Sequence, residues 1–278
     1  VTRLFSRAVR VIAGTLEITG LRVQFRVKKT LSKEPNECEL SIYNLNEEHR
    51  RAVETKGLSV RIEAGYAGNV AQIFVGDVRY AEHVREKADW VTRLQLGDGE
   101  RAYRHARVSE SFKAGNSLGS VFRKVADSLG VDSTKAQGIV DALQRQFTQG
   151  TSVFGKASTE LDRLLSGTGL EWSIQDGELQ VLSATGTTES ALIVLNSETG
   201  LIGSPTYGTP EAASPNKATQ KPKTLKIKSL LMPSLRVGGR VRVEADSVKS
   251  DFKVQTLTHT GDTHGGDFYS EVEGIPLT

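Results

Sequence analysis

The densest group of chemistry-bearing side chains is His259-Thr260-Gly261-Asp262-Thr263-His264-Gly265-Gly266-Asp267, with two histidines and two aspartates in nine residues. To hold a metal, three or four ligands would have to converge on one point. The same segment, Gly-rich and set between two strands, also reads as a connecting loop whose Asp and Thr side chains bond their own backbone. The loop reading is preferred, and no metal site is assigned. Glu171, Asp176 and Glu178 surround Trp172 and offer the carboxylates a glycan-cleaving pair needs. On a hairpin they read more simply as its solvated side. His-Glu-x-x-His is absent, and a hydrolase elbow is not expected. Val237-Gly238-Gly239-Arg240 reads as a turn entering a strand, so it is no phosphate cradle. No catalytic residue and no cofactor is assigned.

Basic residues gather at Arg3, Arg7 and Arg10, and again at Arg22, Arg26, Lys28, Lys29 and Lys33. Arg22, Arg26 and Lys28 share parity, which makes one strand face basic. Contact with an acidic partner or with DNA in transit is one reading; a solvated face is the preferred one. Glu47, Glu48, Arg50 and Arg51 can pair along a helix, which adds only about 0.2–0.5 kcal/mol per pair. The single cysteine, Cys38, falls in an alternating segment with Leu40 and Ile42 and reads as a packed core thiol.

Elements must position these groups. Period-two alternation over residues 7–12, 15–19, 21–27, 36–44, 58–64, 72–80 and 89–96 predicts strands. A short helix over 47–54 is capped by Asn46 and ended by Gly57. Leu118, Val121, Phe122, Val125 and Leu129 recur at spacings of three and four, which predicts a helix begun by Ser117 and stopped by Gly130. Further helices are expected over 139–147 and 158–166. Asp176-Gly177 between two alternating runs predicts a tight hairpin. The stretch 203–222 holds four of the seven prolines and reads as a linker. Four more strands follow over 224–231, 240–245, 252–259 and 267–274.

The expected organisation is a first β domain over 1–108, an α+β domain over 109–202, the linker over 203–222 and a second β domain over 223–278. A chain of 278 residues has room for two or three domains. The 36 basic residues nearly balance the 33 acidic ones, which argues against a dedicated nucleic-acid binder. No apolar run approaches the roughly 20 residues that cross a bilayer, and no signal-peptide core follows Val1, so synthesis and folding in the cytoplasm and no membrane anchor are expected.

Three stretches in order resemble the baseplate hub proteins of bacteriophage tails. The first is Pro35-Asn36-Glu37-Cys38-Glu39-Leu40-Ser41-Ile42-Tyr43-Asn44-Leu45-Asn46, running on to Gly65-Tyr66 and Gly76-Asp77. The second joins Leu161-Asp162-Arg163-Leu164-Leu165 to Gly169-Leu170-Glu171-Trp172. The third runs from Leu231-Met232-Pro233 through Val237-Gly238 to His259-Thr260-Gly261-Asp262. The marker positions are Asn36, Tyr43, Asn44, Gly65, Tyr66, Gly76 and Asp77, then Trp172, Leu231, Pro233, Gly238, His259, Gly261 and Asp262.

The resemblance implies a mainly β fold, with two tube-like antiparallel β-barrel regions flanking a small helix-plus-hairpin domain. It implies a non-enzymatic homotrimer in the virion tail, joining a sixfold tail tube to a threefold central spike and forming part of the DNA conduit. The tail tube protein, the spike protein and the tape measure protein are the expected partners. The chain is short for a hub, so the spike would be a separate protein. The alternatives are a distal tail or tube-initiator ring, a tail-associated peptidoglycan hydrolase, and a nucleic-acid-binding module.

Overall fold

The computed structural model describes residues 6–208 and 224–277. In chain order the elements are β1 (Arg7–Ala13), β2 (Leu16–Ile18), β3 (Val23–Thr30), β4 (Asn36–Tyr43), α1 (Glu47–Val53), β5 (Ser59–Tyr66), β6 (Asn69–Glu86) and β7 (Asp89–Asp98). Then come α2 (Glu100–His105), β8 (Arg107–Phe112), α3 (Leu118–Leu129), α4 (Thr134–Asp141), β9 (Thr151–Lys156), α5 (Ala157–Leu165), β10 (Leu170–Gln175) and β11 (Glu178–Ser183). The last six are β12 (Ile193–Leu195), β13 (Leu201–Tyr207), β14 (Leu225–Leu230), β15 (Arg240–Ala245), β16 (Val248–Asp262) and β17 (Phe268–Pro276). The chain divides into two compact units, one of residues 1–31, 37–96 and 185–278, the other of residues 32–36 and 97–184.

The first unit is built on one sheet with strand order β13-β14-β17-β16-β3-β4-β7-β6-β5-β1-β2, to which β15 adds on β16 and β12 on β15. Alternation decides which face each strand buries. Val23, Phe25 and Val27 of β3 are buried while Arg26 and Lys28 are exposed. Asn36, Cys38, Leu40 and Ile42 of β4 are buried in turn. Burial pushes the Cys38 thiol well above its ordinary pKa, as suits a packed core sulfur.

Two hydrophobic cores form on this sheet. One gathers β1 to β7 around Ile62, Phe74 and Leu94, and it also takes Leu231 and Phe268. The other gathers β12 and β14 to β17 around Val243, Phe252 and Leu257.

β16 joins them. On one side it pairs with β17, from Phe252 to Gly261. On the other it pairs first with β15, Val248 to Lys253, and then with β3, Thr256 to Asp262. A register shift lies between Val254 and Thr256, at this change of partner. An extra residue there adds local twist and bend.

Among the described residues no strand pairing closes the path into a ring. Side chains bridge between β1–β5 and the start of β17. Arg7 donates to the carbonyls of Asp262 (3.0 Å), Gly265 and Gly266 (2.9 Å). Tyr66 Oη donates to Phe268 O at 3.1 Å.

The second unit packs α2, α3, α4 and α5 with the ribbons β8–β9 and β10–β11 around Val121, Phe122, Val125, Leu161, Trp172 and Ile174. Ser117 caps α3 by accepting from Ser120 N (3.1 Å), and Gly130 ends it at φ 70°. Asp176 and Gly177 turn the β10–β11 hairpin at φ 55° and 82°, the left-handed pair that such a turn needs. Asp98 holds that turn from outside, accepting from Asp176 N (2.6 Å) and Gly177 N (3.0 Å).

Several expectations need correction. The helix expected over 139–147 lies earlier, at Thr134–Asp141, because Asp132 Oδ1 accepts from Thr134 N (2.9 Å) and starts it there. Gln144 at φ 48° breaks the run that Leu143 and Phe147 suggested. The second strand of the 58–96 region, expected over 72–80, is longer, since β6 runs for 18 residues. The start of the expected linker is strand, since β13 runs to Tyr207; the rest of it, from 209 to 222, lies outside the described residues.

A Cβ on Gly261 would sit 2.3 Å from Phe25 Cζ, at the face where β3 meets β16. Overpacking of this kind costs about 1–3 kcal/mol. Gly261→Ala is therefore expected to lower the melting temperature. Phe25→Leu in the same chain is expected to recover part of the loss, as read by differential scanning calorimetry.

Candidate functional site

The His259–Asp267 segment ends β16 and turns into β17, and its side chains diverge. His259 lies on the inward face and is fully buried. Its Nδ1 meets Ser270 Oγ at 2.8 Å, and that oxygen already accepts from Met232 N at 3.1 Å. The other ring nitrogen, Nε2, has no hydrogen-bond partner among the described residues. Burial, with Lys29 and Arg236 nearby, pushes the His259 pKa down to about 3. The imidazole is neutral at physiological pH. His264, by contrast, is exposed and turns its Nδ1 to Thr263 Oγ1 (2.9 Å). The two histidines therefore face different surroundings.

Asp262 is the centre of the segment. Its carboxylate accepts from Arg22 Nη2 (2.8 Å) and Nε (3.3 Å), from Gln24 Nε2 (2.7 Å) and from His264 N (2.8 Å). Burial alone would raise its pKa, but these donors overcome it and hold the carboxyl well below the usual range. Val23 N donates to Thr263 Oγ1 (3.0 Å), and Asp262 N donates to Asp267 O (2.7 Å). Arg22 also lies over the Tyr43 ring at 4.7 Å, and Tyr43 Oη donates to Gln24 Oε1 at 3.0 Å. Phe268, next along the chain, packs edge-on to Phe25 (6.1 Å) and Tyr66 (5.3 Å) and lies under the Arg7 guanidinium (5.3 Å). The arrangement is a latch: one carboxylate and a run of carbonyls tie the β16–β17 turn to β1, β3 and β5.

Five marker positions thus converge here: Tyr43, Tyr66, Gly261 and Asp262, with His259 beneath. The others serve elsewhere. Asn44 takes φ 59° and clasps the β6–β7 turn, donating to Asp89 Oδ1 (3.0 Å) and accepting from Trp90 N (3.0 Å). Gly65 lets the β5–β6 turn pass, since a Cβ there would lie 2.0 Å from Asn69 O. Gly76 and Asp77 pair with Val60 and Ser59. Leu231 and Pro233 are buried beside β14. Gly238, at φ 79°, donates its N–H to Val254 O (2.8 Å), beside the change of partner in β16. In the second unit Asn36 Nδ2 donates to Ile174 O (3.0 Å) and Asp98 Oδ2 (3.2 Å). Trp172 stacks on Tyr103 (5.4 Å) and donates to Asp162 Oδ1 (2.8 Å).

Sequence reasoning missed the roles of Arg7, which read as part of a basic cluster, and of Arg22, which read as part of a solvated basic face. Their partners lie about 240 or more positions away along the chain, and only the shared parity of Arg22 with Arg26 marked its side of the strand. Lys29, from the same basic cluster as Arg22 and Arg26, is buried on the opposite side of β3.

The hydrolase candidates fare differently. Glu171 and Glu178 are exposed, and Glu178 pairs with Lys135 at 2.8 Å. Gly115-Asn116-Ser117-Leu118-Gly119 does spell an elbow, contrary to expectation. Ser117, however, is the unstrained cap of α3 at φ −74° and accepts from Ser120 N. A nucleophile elbow holds its serine on a strained turn, and the turn at Ser117 is not strained.

The family described as baseplate hub gp41 matches residues 8–274. The chain belongs to that family. Three solved structures share the fold of this hub-family chain. A 43 kDa tail protein of prophage MuSo2 from Shewanella oneidensis has a TM-score of 0.67 at 11% identity, covering 98% of this chain and 99% of its own. The tail protein from Neisseria meningitidis MC58 has a TM-score of 0.65 at 12% identity, covering 98% and 97%. The E. coli c3393 protein has a TM-score of 0.57 at 12% identity, covering 99% of this chain and 76% of its own. It is described as a component of the type VI secretion system with structural similarity to the T4 tail proteins gp27 and gp5. No curated protein sequence matches the chain.

Hydrogen bonds to charged groups contribute about 1.5–3 kcal/mol. Asp262→Asn is expected to cost that much at pH 7 in urea denaturation. The folded pKa of Asp262 is depressed, so its contribution is present above the ordinary value of 3.8 and lost as pH falls below it. The gap between Asp262→Asn and the parent chain should therefore narrow in acid.

Proposed function

We propose that the chain is a non-enzymatic structural hub of a phage-type tail: a homotrimer that joins a sixfold tail tube to a threefold spike and forms part of the DNA conduit. The observation that carries this reading is the pair of β cores on one sheet. Three copies of such a chain offer six β units to a sixfold ring and remain threefold for a spike. Cyclic symmetry also makes each contact between copies recur around the ring. In this reading the tube-like regions are the core built by β1 to β7 and the core built by β12 and β14 to β17. The marker residues at the latch and at the change of partner in β16 hold the two in fixed register. The tail tube protein, a separate spike protein and the tape measure protein are the partners, and the virion tail is the location. The likeness to a chain described as similar to gp27 and gp5 supports a place at the tube-to-spike junction.

DNA would pass through without being held. A near balance of charge suits that role, because each phosphate contact adds affinity that slows passage.

Light scattering on the purified protein, alone and mixed with its tail tube and spike proteins, tests the reading. A trimer that captures a trimeric spike is expected. A hexamer indifferent to the spike would place the chain in a tube or distal ring instead.

A further inference from the structure

On the outward face of the sheet, β3, β16, β17 and β14 align in rows. Lys28 stands opposite Thr258, Thr258 opposite Glu271, and Glu271 opposite Lys228. The next row runs Thr30, Thr256, Glu273 and Lys226. Arg26 begins a third row with Thr260 and Tyr269. A groove of about 560 Å³ lies over this face, closed at one side by Ser204 and Thr206 of β13. Its cations are not equivalent. Lys226 pairs with Glu273 at 3.4 Å, and Lys228 with Glu271 at 3.9 Å. Arg26 and Lys28 are exposed and stand opposite Glu39 and Glu37 of β4, without an ion pair among the described residues.

We propose that this groove docks an extended peptide segment of a partner protein carrying carboxylates at alternate positions. Arg26 and Lys28 are two residues apart on one strand, which sets their Cα atoms about 6.6–6.8 Å apart. Alternate side chains of an extended peptide have the same spacing. Two carboxylates on such a segment meet both cations at once, while the Thr256 and Thr258 hydroxyls beside them donate to or accept from its polar groups. The lining itself holds four cations against two carboxylates, which favours an acidic occupant, although Glu39 and Glu37 of β4, beside the groove and opposite Arg26 and Lys28, offset part of that excess. Those two carboxylates, Glu271 and Glu273, stand one strand beyond the threonines and oppose a continuous polyphosphate. An acidic peptide is thereby favoured over DNA. The inference goes beyond the hub reading and does not depend on the oligomeric state.

The test is fluorescence anisotropy with the intact protein and three labelled probes: a peptide alternating Glu and Thr, its Lys and Thr counterpart, and a short DNA duplex. The Glu peptide is expected to bind best. Replacing both cations, Arg26→Gln with Lys28→Gln, should weaken it roughly tenfold or more, as the loss of charged hydrogen bonds implies. Glu271→Gln with Glu273→Gln should tighten it, by removing the competing carboxylates and freeing both lysines. A matching thermal melt for each variant shows that the fold is kept. Binding of the duplex in preference to the Glu peptide overturns the proposal in favour of a polyanion site. Failure of every probe to bind, or Glu-peptide binding unchanged by the Arg26 and Lys28 substitutions, also overturns it.

Discussion

β16 has to serve two neighbours on the same edge. Its first half gives its hydrogen bonds to β15 and its second half to β3, with the register shift between Val254 and Thr256 marking the hand-over. Strand pairing propagates side-chain parity, so a slip of one residue in β16 would turn the inward face of both cores outward. Leu257, His259 and Gly261 all face inward beyond the shift, and each stands opposite an inward-facing β3 residue: Lys29, Val27 and Phe25. The glycine faces the phenylalanine because nothing larger fits. The two cores thus depend on the register of one strand.

The latch at the end of β16 fixes that register from outside the core. An ion pair on an open surface contributes little. Asp262 is different, being largely enclosed and satisfied by two side chains of β3 or its approach and by its own loop. Arg7 and Tyr66 then carry the tie to β1 and β5 without strand pairing.

Much of this was legible in the sequence, and the failures have physical causes. Alternation gave β3 and β4 with their faces, and the three-four spacing gave α3 with its cap and stop. Asp176-Gly177 gave its hairpin. In each case the information is local. The helix near residue 139 was misplaced because Ile139, Leu143 and Phe147 mimic helical spacing, whereas Asp132 decides where the helix begins. β12 and β13 were overlooked because three apolar residues, or a strand holding Gly203 and Pro205, carry little periodic signal. The candidate site was found as a string of residues and preferred as a loop; His259 to Asp262 instead end β16, and only the residues from Thr263 to Asp267 form the turn. What it binds could not be read, because Arg7 and Arg22 lie at the far end of the chain and nothing in their own surroundings names a carbonyl or a carboxylate as partner.

The central claim is that two β cores in one chain convert a sixfold tube into a threefold hub. Counting copies in assembled tails tests it most directly, by quantitative mass spectrometry with labelled peptides of this chain and of the tail tube protein. The account predicts one copy of this chain for every two tube subunits in a single ring, which makes three per tail. Six copies per tail would contradict it, since each chain would then occupy one tube position and no change of symmetry would take place.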